Sequence, residues 1–153
     1  MTLLDHVNLV VTDPVASRDF YGRLLGLAPV MDRWLEGEWF DRLTGIDGAR
    51  ARCIILDAPD GGCRIELLAF ATPEGTTEAD LSDHAATGLR HVAIRVDDLD
   101  ACLARLETPP PAIEVPRAIV PVGKRMAYVP DPDGIIVELA EYGGTPSFTF
   151  GGC

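Results

Sequence analysis

The chain has no basic excess and no long apolar run, and each gap excludes a class of function. Of its 153 residues, 13 are Lys or Arg against 24 Asp or Glu, a net charge of −11. That balance argues against nucleic acid or another polyanion as the main partner. No apolar stretch approaches the ~18 residues that span a bilayer, so no membrane segment is expected. The opening MTLLDHVNLVV lacks a basic leader, and Asp5, His6 and Asn8 interrupt its apolar run. A signal peptide is therefore not expected, and a cytoplasmic location is the default. The four cysteines, Cys53, Cys63, Cys102 and Cys153, form no C-x-x-C pair. The first three lie in apolar or alternating segments and read as buried reduced thiols, Cys153 as an exposed terminal one. What remains is a chain with 47% hydrophobic residues and interspersed charge, the composition of a folded globular protein of one domain.

The chain repeats itself. Residues 3–11 alternate, with Val7, Leu9 and Val11 on one face and His6, Asn8 and Val10 on the other, as in a half-buried strand. Asp13 then offers an N-cap, Pro14 a first helical residue and Gly26 a stop, around a stripe of Ala16, Phe20 and Leu24. After a less regular stretch, residues 50–57 and 63–70 read as two strands of a hairpin. The second half follows the same order. Residues 89–96 alternate, Asp97 or Asp98 caps a helix carrying Leu99, Cys102, Leu103 and Leu106, and Pro109–Pro111 stop it. Residues 124–130 and 135–142 are strands around the turn Asp131-Pro132-Asp133-Gly134. LDHVNLVV matches LRHVAIRV, and CRIELLAF matches IIVELAEY. The modules run over about 3–70 and 88–142, joined by the polar linker 71–87 and followed by the tail 143–153.

The repeat duplicates two ionisable positions inside apolar strands. His6 and His91 occupy one matched place, Glu66 and Glu138 the other. A carboxylate among such neighbours is costly to bury unless something pairs with it. If the first and last strands of each module line one surface, two imidazoles and two carboxylates converge, a donor set suited to Ni, Zn, Co, Mn or Fe(II). His84 has no counterpart and reads as a surface histidine.

These motifs, DHVNLVVTDP with FYGRLLGL, RIELL, GLRHVAIRVDDL and AYVPDPDGIIVEL, resemble the vicinal oxygen chelate superfamily of glyoxalase I, methylmalonyl-CoA epimerase, extradiol dioxygenases, and fosfomycin-resistance and bleomycin-binding proteins. The resemblance covers residues 3–142. It implies an α+β fold of two tandem βαβββ modules whose curved mixed sheets enclose a metal-binding cleft, and a homodimer. Carried over by motif position, His6, Glu66, His91 and Glu138 match the metal ligands of the glyoxalase-like and epimerase-like branches. The dioxygenase set corresponds to His6, His91 and Glu138 alone, so Glu66 points to proton transfer. The reaction implied is isomerase, epimerase or lyase chemistry on a small substrate with vicinal oxygens, through a metal-stabilised enediolate, with Glu138 or Glu66 taking the proton. An Fe(II) extradiol dioxygenase and a non-catalytic small-molecule binding protein are the alternatives.

Substrate contacts are expected elsewhere. Both tryptophans and Phe40 fall within residues 34–40, a lid, a pocket wall or part of the core. Trp39, Phe40, Arg64, Met126 and Tyr128 are the candidates; Lys124 or Arg125 is a hold on an anionic group, a solvated surface residue or a partner for a nearby carboxylate. Phe148 and Phe150 in the Gly-rich tail offer a contact for a neighbouring subunit.

Overall fold

Two stretches of the chain fold in the same strand order. The computed structural model describes residues 4–59, 61–62, 64–76, 80–81 and 83–144. Cys63, Cys153, Phe148 and Phe150 lie outside them. The chain divides into two compact units, Met1–Asp80 and Leu81–Cys153, called units 1 and 2 below.

Unit 1 contains β1 (His6–Val10), α1 (Pro14–Leu25), β2 (Ala28–Glu36), α2 (Glu38–Thr44), β3 (Arg50–Asp57) and β4 (Arg64–Thr72). Its four strands form one mixed sheet in the order β1-β4-β3-β2, with β1 parallel to β4 and the other pairs antiparallel. The parallel pair β1–β4 is joined by the long connection through α1, β2, α2 and β3, as parallel pairing requires. The caps read from the sequence are present. Asp13 accepts from the backbone N–H groups of Val15 and Ala16, and Gly26 closes the helix with φ +74, a conformation that costs glycine little. The stripe of α1 differs from expectation. Ala16 is exposed, and Ser17, Phe20, Tyr21 and Leu24 are the buried residues, because 3.6 residues per turn carry the sheet-facing side from 17 through 20 and 21 to 24.

The less regular stretch contains two elements. β2 is an edge strand, mostly exposed, so it shows no alternation of apolar residues. Gly37, with φ +94, breaks the chain between it and α2. From α2, Phe40 drops into a cluster with Ala49, Ala51, Cys53 and Leu68.

Unit 2 contains β5 (His91–Arg95), α3 (Leu99–Leu103), β6 (Ile113–Val115), β7 (Lys124–Pro130) and β8 (Ile136–Tyr142). The sheet order is β5-β8-β7-β6, and β5 runs parallel to β8. Asp98 caps α3, and the Glu141 carboxylate accepts from the Leu99 N–H at 2.7 Å. The helix ends before Leu106, sooner than its apolar residues suggest, and before the prolines are reached. Asp131, buried in the β7–β8 turn, accepts from the N–H groups of Asp133 (2.9 Å) and Ile135 (2.8 Å), while Gly134 takes φ +84. The fold class is thus α+β, with a βαβββ unit in each half.

Candidate metal and substrate site

Strand pairing puts His and Glu side by side in both units. In unit 1, Asn8 is the register partner of Glu66 across the parallel β1–β4 pair, and His6 lies two residues earlier on the same face. In unit 2, Ala93 is the partner of Glu138 across β5–β8, and His91 again lies two residues earlier. His6 Nε2 stands 3.9 Å from Glu66 Oε2, and His91 Nε2 stands 3.5 Å from Glu138 Oε2.

Each carboxylate turns one oxygen to its histidine and gives the other to a second donor. Glu66 Oε1 accepts from the Asn8 amide at 2.8 Å. Glu138 Oε1 accepts from the Lys124 ammonium at 2.5 Å. Burial opposes the charge on Lys124, but the hydrogen bond and negative charge of Glu138 outweigh it and hold the ammonium above its usual range.

His6 is oriented from behind. Its Nδ1 meets an Asp5 oxygen at 2.8 Å, and Asp5 also pairs with Arg64. The His6 hydrogen bond, followed by that of Arg64, holds the Asp5 carboxyl below the usual carboxylate range. A carboxylate accepting from Nδ1–H leaves the lone pair of a neutral imidazole on Nε2, the nitrogen that faces Glu66. Arg64 is thus tied to Asp5 in this structure.

The donor chemistry fits a divalent ion. Two donors each about 2.1 Å from one ion and at right angles to each other lie about 3 Å apart, and both His–Glu pairs are within about 1 Å of that spacing. Each unit brings two such donors together. Among the described residues, no group of three or more His, Cys, Asp or Glu side chains is placed to hold an ion.

The substrate candidates separate. Phe40 is 2% exposed and stacks near Phe70, with ring centroids 6.1 Å apart, so its surroundings are those of a core residue. Trp39 is 55% exposed on α2. Trp34 points to the sheet face opposite Glu66, where the Arg50 guanidinium lies 3.7 Å from its ring centroid. Met126 and Tyr128 share a face of β7 with Lys124, and Tyr128 is the cross-strand partner of Glu138. Arg125 points to the other face and pairs with Asp100.

Three site features add to the sequence reading. Lys124 takes the carboxylate-partner role that the sequence offers it, and the carboxylate is that of Glu138. Cys53 lies next to Glu66, and burial together with that carboxylate pushes its thiol up to about 12. His84 is exposed, as expected of a surface histidine, yet its ring stacks on Tyr128 at 5.2 Å, and Tyr128 in turn tilts against His91 at 5.4 Å.

A profile of the Glyoxalase/Bleomycin resistance protein/Dioxygenase superfamily matches residues 3–139. The chain belongs to that superfamily. This superfamily member is 32% identical to the uncharacterized protein YaeR of Escherichia coli (strain K12) over 138 residues, 89% of this chain and 93% of the relative. It is similar to the crystal structure of a glyoxalase family protein from Bacillus cereus, with 29% identity, a TM-score of 0.79, and 94% and 96% of the two chains covered. FosX of Listeria monocytogenes, solved with Mn(II) and sulfate, shares the superfamily fold at 16% identity and a TM-score of 0.54, over 95% of this chain and 94% of FosX. No helix of the described residues is long and apolar enough to cross a membrane.

Proposed function

We propose that the protein is a divalent-metal-dependent isomerase, epimerase or lyase of the glyoxalase type, acting on a small substrate with vicinal oxygens. The observation that carries this reading is the matched register of the two His–Glu pairs. In both units the imidazole Nε2 faces one carboxylate oxygen, and the other oxygen is held by a separate donor. Under this reading His6 and Glu66 of unit 1 and His91 and Glu138 of unit 2 are ligands for a divalent ion of the Ni, Zn, Co, Mn or Fe group. FosX, a fold relative crystallised with Mn(II), is consistent with such an ion.

A bound ion supplies Lewis-acid polarisation of two neighbouring substrate oxygens and so favours loss of a proton from the carbon beside a carbonyl. The chain itself supplies the base. Glu138 is fixed by Lys124 and its side chain is only 7% exposed, whereas Glu66 is held by a neutral amide and is 19% exposed. Glu66 is therefore the carboxylate free to leave its position, take the proton and return it, and Glu138 is the anchor. Return to the neighbouring carbon is isomerisation; return to the opposite face is epimerisation.

The Lys124–Glu138 contact favours one second reading. A lysine that satisfies Glu138 without a metal suits a non-catalytic binding protein that sequesters a small molecule. Metal analysis of purified protein, before and after a chelator and after reloading, separates the two. About one divalent ion per chain is expected, with Glu66→Gln retaining the ion but losing exchange of the substrate proton with solvent. A protein that takes up no ion overturns the enzyme reading and leaves the sequestering one.

A further inference from the structure

The two histidines stand at matched places in the repeat, but their immediate neighbours differ. Asp5 precedes His6, and the register partner of His6 is Arg64; Arg90 precedes His91, and the register partner of His91 is Ile136. The repeat therefore puts a carboxylate and a guanidinium behind His6 and no carboxylate at the matched places behind His91. The Arg90 guanidinium turns back to the Leu89 carbonyl at 3.0 Å.

Asp5 is tied down through its main chain and its side chain. Its carbonyl accepts from the Arg64 N–H at 3.3 Å, one carboxylate oxygen pairs with the Arg64 guanidinium, and the other meets His6 Nδ1 at 2.8 Å. Asp5 is exposed. An exposed carboxylate with one partner swings among rotamers and trades that partner for water, whereas a second, charge-assisted bond to a planar guanidinium fixes its orientation.

That orientation decides which nitrogen of His6 can ligate. A neutral imidazole carries its proton on one nitrogen and offers a lone pair only from the other. With Nδ1 turned to Asp5, only the Nδ1–H form leaves Nε2 open on the side of Glu66. A site that spends part of its time in the other form loses apparent affinity in proportion.

We propose that Asp5 and Arg64 are positioning residues for metal capture in unit 1: Arg64 fixes Asp5, and Asp5 fixes His6 with Nε2 set to ligate before an ion arrives. The inference rests on the reading that His6 and Glu66 are metal ligands. It moves Arg64 from the substrate to the metal, and it makes a cation two residues from Glu66 an aid to binding another cation.

The test begins on metal-free protein carrying ¹⁵N-histidine at about pH 8, where an ordinary imidazole is neutral. His6, assigned with His6→Gln, is expected to show a protonated Nδ1 and a bare Nε2. Asp5→Ala should abolish that preference and weaken zinc binding, read by competition with a chelating dye, about 10- to 100-fold. Asp5→Asn, whose amide oxygen can still accept from Nδ1–H, should keep the tautomer and most of the affinity. Arg64→Met is the decisive variant. Charge alone predicts tighter zinc once a neighbouring cation is removed; positioning predicts weaker zinc and mixed His6 tautomers. Zinc binding in Arg64→Met equal to or tighter than the parent's, or an unchanged His6 tautomer in Asp5→Ala, overturns the inference and leaves the metal reading standing. A parent protein that binds no zinc overturns the metal reading and this inference with it.

Discussion

Units 1 and 2 share strand order, register and the placement of His and Glu, but they hold the glutamate in opposite ways. Glu66 is met by an amide from the parallel neighbour, Asn8, and Glu138 by an ammonium from the antiparallel neighbour, Lys124. Each unit is apolar where the other is polar: Ala93 replaces Asn8 beside Glu138, and Ala51 stands at the register equivalent of Lys124. The backbone repeat therefore fixes where a carboxylate stands, and the side chain opposite decides how firmly. A neutral amide satisfies one oxygen without tying the group down. A buried ammonium both neutralises and clamps it, because two charges out of water attract strongly and neither is cheaply left alone.

The largest expected effect concerns what covers each sheet. Phe40→Ala should cost about 3–5 kcal/mol, as for other buried aromatics cut to alanine, because its ring fills the cluster over Ala51, Cys53 and Leu68. Met126→Ala, at the edge of an existing cavity, should cost under about 2 kcal/mol, since less contact is lost there. Chemical denaturation of both variants tests this. Equal losses would mean that the two faces are filled alike and that the contrast between them is false.

The clamps come next. Lys124→Met should destabilise the metal-free protein by about 3 kcal/mol, because it leaves a mostly buried carboxylate without its cation. Asn8→Ala removes a neutral hydrogen bond from Glu66 and should cost about 1 kcal/mol. Zinc should recover much of the Lys124→Met loss, and calorimetric titration should show tighter zinc binding to that variant than to the parent, since a competing cation is gone. The lysine is held above its ordinary value of 10.5. Its contribution is therefore full below pH 10.5 and fades as pH rises through the raised value. The stability gap between parent and variant should close in that range; a gap that persists there contradicts the ion pair as its source.

How far the molecule was legible follows from which residues report on themselves. Strands with one covered face, such as β1 and β7, alternate visibly, and the caps Asp13, Gly26 and Asp98 mark helix ends by chemistry that acts within a turn. The edge strand β2 is mostly exposed, with only Met31 and Leu35 reaching the core, so no period marks it, and the three-residue β6 is too short to show one. The matched His and Glu were legible because the repeat lists each position twice. Of their second donors, Lys124 was legible as a partner for some carboxylate but not for which one, and Asn8 was not legible, because only strand pairing brings them to Glu138 and Glu66. His84 on Tyr128 has the same cause, a loop residue brought to a strand by the fold.

The smallest effect separates α1 from α3. Counting from the caps, Ser17 lies four residues after Asp13, and Cys102 lies four residues after Asp98. Both are buried against their sheets. The Cys102 thiol suits that place, being a weak donor that burial keeps protonated. The Ser17 hydroxyl is fully buried and has no hydrogen-bond partner among the described residues. Folding therefore takes it out of water without return, a penalty of about 1–3 kcal/mol for a buried group left unpaired. Ser17→Ala removes that penalty, adds the better helix former and loses only one small atom's packing. It should raise stability by about 1 kcal/mol, or about 2–4 °C in Tm for a chain of this size. Cys102→Ser should shift Tm in the opposite direction by a similar amount. A fall in Tm for Ser17→Ala would mean that the hydroxyl is bonded in the folded protein, and the two helices would then differ in sequence alone.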